Sequence, residues 1–127
     1  RDRNCLAARL TRAVTRVVLW QSREIRPDRR VLEDFLAVTT AGPVTKDVWL
    51  LVAEAYIQQP DQKIDDLNQA VEAVRNAVRE GYNREEVVQT SVHPFLCRHP
   101  RYEDALKQKH QVSVLSGNPY LVCPSPD

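Results

Sequence analysis

The stretch from Trp49 to Tyr82 constrains this chain most, because it carries two successive apolar stripes with helical spacing. Trp49, Val52, Ala53 and Tyr56 recur at i, i+3, i+4 and i+7, which is one face of a helix. Leu67, Ala70, Val71, Val74, Ala77 and Val78 do the same on a second helix. Gly81 is placed to end it, since glycine takes the left-handed conformation after a helix at little cost. Neither helix can bury its stripe alone, and folded back as a hairpin each covers the other. Glycine is scarce, at 3 residues, which argues against an all-β fold with many tight turns.

These residues resemble a tetratricopeptide repeat, whose pattern is W-x2-L-G-x2-Y on the first helix and A-x3-F on the second. Here it reads Trp49-x2-Val52-Ala53-x2-Tyr56, then Ala70-x3-Val74 with Ala77 following. Small Ala53, Ala70 and Ala77 would let the helix backbones approach. Val52 stands for Leu, Ala53 for Gly and Val74 for the aromatic, and the Gln58–Asp66 connection is longer than the family's turn, so the repeat is degenerate. The resemblance implies an all-α, right-handed stack of antiparallel helical hairpins that binds protein. It also implies that Asp47, Leu50, Glu54 and Ile57, opposite Trp49 and Tyr56, line a groove for a partner peptide. The same helix is apolar nearly all round, and packing against the preceding helix explains that equally well.

Before this unit, residues 4–25 read as a long helix with Leu6, Leu10, Ala13, Val14 and Val17 as its apolar stripe. Arg9, Arg12, Arg16 and Arg23 form a basic stripe beside it, and Val18, Leu19 and Trp20 make a second side partly apolar. Pro27 breaks the helix. A second helix is predicted over 29–40 with Leu32, Phe35 and Leu36 inward, stopped by Gly42-Pro43. Thr45 is a candidate N-cap for the Trp49 helix. Beyond Gly81, Asn83-x-x-Glu86 has capping-box spacing and predicts a short helix over 84–90. Residues 91–97 read as a turn, and a last helix starts at Pro100 with Tyr102 and Leu106 inward. This closing segment is similar to the one that ends bacterial tetratricopeptide arrays, where it caps the last apolar face. About five or six helices are expected over 1–110 as one domain, and 111–127 as an extended or linker-like tail, with a hairpin as the alternative.

Charge is balanced overall, at +1, but unevenly spread. Residues 1–30 hold nine Arg against three acidic residues, while 31–80 carry a net −5. Nucleic acid or an acidic partner on the Arg stripe is therefore the alternative to a protein-binding groove. No aromatic-interleaved groove or base-reading motif accompanies the stripe, so nucleic acid is the weaker expectation. His93, Cys97 and His99 are the only ligand-like cluster, and a zinc site would need Asp104, Cys123 or Cys5 to complete it. A turn in which Cys97 packs and His99 caps a helix needs no metal, so no metal or cofactor is expected. Asp65-Asp66 and Glu85-Glu86 stand at helix starts, where the dipole favours them. With no phosphate loop and no nucleophile motif, an enzyme is not expected.

Three widely spaced Cys fit reduced thiols, and with no membrane span or signal segment this points to a cytoplasmic location. The chain starts with Arg1 and lacks Met, so it reads as part of a larger protein. The expected function is a protein-interaction or scaffolding module. An array end left open at the first helix, with Trp20 as the anchor, would promote self-association.

Overall fold

The computed structural model describes residues 5–24 and 28–111. Among them every regular element is helical: α1 Leu6–Gln21, α2 Arg30–Ala41, α3 Lys46–Ile57, α4 Ile64–Arg79, α5 Arg84–Val88, α6 His93–Leu96 and α7 Tyr102–Leu106. The count exceeds the expected five or six because 91–97 is not a plain turn: it contains α6, a single helical turn. The chain divides between Val44 and Thr45 into two compact units. The expected tail, apart from Gln111, lies outside the described residues.

In the first unit α1 packs along α2. Ala13, Val17 and Trp20 are the buried residues of α1. They continue Leu6 and Leu10 at alternating steps of four and three, a heptad spacing that holds one face toward a neighbouring helix. Trp20 therefore belongs to the main stripe, seven residues after Ala13, and not to a second side; Val18 is the residue that faces out, at 51% exposure. On α2 the buried set is Val31, Asp34, Phe35 and Val38. The expected inward Leu36 is exposed, because it lies about 100° from Phe35 and the buried arc is centred on Val31–Phe35–Val38. Fully buried side chains such as Val17 and Phe35 each contribute roughly 1.5–3 kcal/mol through transfer from water. Gly42 caps α2 in an extended conformation, as its position before Pro43 requires.

The end of α1 is less expected. It stops at Gln21, the Arg23 N–H bonds the Trp20 carbonyl, and the Glu24 N–H bonds the Leu19 carbonyl. This is a Schellman closure, and its left-handed position is filled by Arg23 at φ 64°. A side chain with a Cβ is disfavoured there. The same closure ends α4, where the Gly81 N–H bonds Val78 O and the Tyr82 N–H bonds Ala77 O, with Gly81 at φ 131°. Glycine makes that second closure unstrained.

In the second unit α3 packs closely along α4, and α6 and α7 pack on α4. Thr45 caps α3, its hydroxyl accepting the Val48 N–H at 3.4 Å. Ala53, Ala70 and Ala77 are fully buried. Trp49 and Tyr56 are only half-buried. Burial on α3 instead runs nearly all round, through Val48, Leu50, Val52, Ala53, Ala55 and Ile57. Asp66 closes the start of α4, its carboxylate accepting the Lys63 N–H at 2.8 Å. The Asn83–Glu86 box is formed reciprocally, at 2.8 and 3.0 Å. The last helix starts at Tyr102, not Pro100, because the His99–Arg101 turn comes first; Tyr102 and Leu106 are buried as expected. Ion pairs Arg75–Asp104 and Arg84–Glu103 tie α7 to α4 and α5.

Candidate anion-binding cleft on the first hairpin

Arg9, Arg12 and Arg16 are three and four residues apart, so they line one flank of α1 a turn at a time. Arg30, Glu33 and Asp34 stand at i, i+3 and i+4 at the start of α2 and share one face there. Packing α1 on α2 brings the two flanks together, and these six residues line an open cleft of about 220 Å³.

Asp34 is the base of this arrangement. It is only 3% exposed, on the edge of the Val31–Phe35–Val38 arc. Arg12 grips it with two bonds, Nε to Oδ2 at 2.9 Å and Nη2 to Oδ1 at 2.8 Å. Arg9 Nε donates to Oδ1 at 3.0 Å. Burial pushes the Asp34 carboxyl pKa up, but the hydrogen bonds and charges of Arg12 and Arg9 outweigh it and hold it below the usual value. The hydrogen bond and charge of Asp34 in turn raise the pKa of the Arg12 guanidinium.

Arg16 and Arg30 share the cleft, and no described residue makes a side-chain hydrogen bond or ion pair with either guanidinium. Four Arg against Glu33 and Asp34 leave the cleft with a net charge of +2. Arg23, the fourth residue of the expected basic stripe, does not join them. It is exposed beyond the end of α1, in the left-handed closure.

The residues expected to form a partner groove are placed differently. Leu50, Glu54, Ile57 and Trp20 are all buried. Glu54 accepts a hydrogen bond from Ser91 Oγ at 2.9 Å. Asp47 is exposed and accepts one from the Tyr82 hydroxyl, while Lys46 Nζ lies 4.7 Å from the centre of the Tyr82 ring. Of the five, Asp47 alone is open to a partner. Burial of the apolar members follows from α3 being apolar on nearly every side.

His93 and His99 are engaged within the fold. His93 Nδ1 is 2.9 Å from the buried Tyr102 hydroxyl, whose pKa burial raises to about 12. His99 Nδ1 accepts the Arg101 N–H at 3.1 Å, so its Nε2 carries the proton toward Asn68 Oδ1 at 2.8 Å. Cys97 is free and exposed rather than packed. Among the described residues no group of three His, Cys, Asp or Glu side chains is arranged to hold a metal ion. Cys5 is buried and disulfide-bonded, which corrects the expectation of reduced thiols and removes one argument for a cytoplasmic location. No described helix is long and apolar enough to cross a membrane.

Sequence reasoning missed Asp34 and Arg30. Their signal was there: Asp34 is a lone acid inside an apolar helical arc, on a helix that follows a row of Arg. Comparison with protein families, with curated proteins and with solved structures finds no match for this chain.

Proposed function

We propose that the chain is a protein-interaction module built from helical hairpins of degenerate tetratricopeptide type, and that the basic cleft of α1 and α2 is where an acidic segment of a partner docks. One observation carries this reading. Arg16 and Arg30 line the cleft with no ion-pair partner among the described residues, beside Arg9 and Arg12, which Asp34 already holds in place. Cations fixed before binding lose little freedom on association, which favours affinity. The buried positions of α3 and Trp20 offer no comparable surface, so neither the α3 groove nor self-association through Trp20 is retained.

Duplex or single-stranded nucleic acid fits this cleft less well. Arg9 and Arg12 give part of their hydrogen-bonding capacity to Asp34, and Glu33 lines the same cleft. Polyanion binding draws its affinity from many phosphate contacts along a strand, and no aromatic side chain lines the cleft for a base to stack on.

The test is fluorescence anisotropy with a short labelled peptide rich in Asp and Glu. Binding should weaken as salt rises and fall about tenfold or more in the Arg16→Glu, Arg30→Glu double variant. No binding by the wild type, or equal binding by the variant, would refute the assignment.

A further inference from the structure

We infer that the group this cleft prefers is a single phosphomonoester dianion on a protein segment, such as a phosphoserine or phosphothreonine, rather than a carboxylate. The inference rests on the docking reading above and narrows it to a ligand class.

The first reason is charge. The cleft carries a net +2. A carboxylate brings one negative charge, whereas a phosphomonoester brings about 1.5–2 at neutral pH. Only the latter comes close to neutralising the cleft.

The second reason is donor count and geometry. Arg12 uses Nε and one hydrogen of Nη2 on Asp34, so Nη1 remains for a ligand. Among the described residues nothing bonds the guanidinium forks of Arg16 and Arg30. A flat carboxylate has two oxygens, and one fork satisfies both. A phosphoryl group has three terminal oxygens in a tetrahedral array, so several forks can converge on it from different directions. Clusters of Arg are the usual means by which proteins read phosphorylated segments.

Asp34 lies at the buried base and Glu33 also lines the cleft. Both carboxylates are already counted in the net +2 of the cleft, so one dianion is enough to neutralise what remains. Asp34 bonds Arg9 and Arg12 and so fixes the direction of their guanidinium groups.

The experiment uses the full chain and three labelled peptides of one neutral sequence, with Ser, Asp or phosphoserine at the centre. The phosphoserine peptide should bind about tenfold or more tighter than the Asp peptide, with the Ser peptide weakest. Inorganic phosphate should displace it better than chloride at equal ionic strength. Arg16→Gln and Arg30→Gln should each reduce the phosphoserine preference while leaving the helical circular dichroism unchanged. Equal affinity for the Asp and phosphoserine peptides would overturn the phosphate inference, and if the acidic peptide above still binds, the docking reading stands. Absence of binding by every peptide would overturn both. A phosphoserine preference that survives both Arg substitutions would also overturn it, since the phosphate would then be read outside this cleft.

Discussion

Asp34→Asn keeps the volume of the side chain and removes the charge that joins α1 to α2. Asp34 receives three guanidinium N–H bonds, two from Arg12 and one from Arg9. Breaking one partner of a fully buried ion pair costs about 3–5 kcal/mol, chiefly because the other charge stays buried without a partner. Here the Arg9 and Arg12 side chains are 26% and 47% exposed, so both can be rehydrated. The loss therefore falls lower, at about 2–3 kcal/mol, the scale of one or two charge-assisted hydrogen bonds. For a chain of this length 1 kcal/mol moves Tm by about 3–4 °C, so a fall of roughly 6–12 °C is expected at pH 7. The pH dependence identifies the cause. Asp34 has a lowered pKa in the fold relative to its ordinary 3.8. Its contribution is then fully present above about pH 4 and is lost as pH falls through the folded value. Thermal melts of both proteins by circular dichroism from pH 7 to pH 2 should show the gap closing in acid. A gap under about 1 °C at pH 7, or one that stays constant into acid, would show that the Asp34 charge does not hold this hairpin.

The two Schellman closures give opposite expectations. Gly81→Ala should destabilise by about 1 kcal/mol, because φ 131° is unfavourable for any residue with a Cβ; Arg23→Gly should stabilise by a few tenths to about 1 kcal/mol by relieving φ 64°, both read by urea unfolding. Ala53→Leu, at a position with no exposure between α3 and α4, should cost about 1–3 kcal/mol by overpacking, and an unchanged urea midpoint would count against the close helix approach. Under native conditions without reductant a maleimide should label Cys97, which is free and exposed, but not Cys5, which should react only after reduction and unfolding; mass spectrometry of the labelled peptides decides.

The apolar periodicity alone determined that this chain is helical, and it placed α3 and α4 well. Periodicity of 3.6 is a local property, so Trp49–Tyr56 and Leu67–Val78 identify helices without knowledge of their neighbours. The helix starts and stops were also local. Pro43, Gly81, Thr45 and the Asn83–Glu86 pair act through the backbone within a few residues, and each does what its chemistry dictates. Which arc of each helix is buried was decided by packing. Leu36 and Trp20 are both large and apolar, yet one is exposed and the other buried, because an apolar arc can be drawn several ways on a short helix and the neighbouring helix selects one. The basic stripe was visible, but its division was not. Arg9 and Arg12 bond Asp34, Arg16 and Arg30 face the cleft, and Arg23 closes a helix. The roles of Arg9 and Arg12 depend on where Asp34 lies, 25 and 22 residues away in sequence, and a charge acts on its spatial neighbours, which only the tertiary fold supplies.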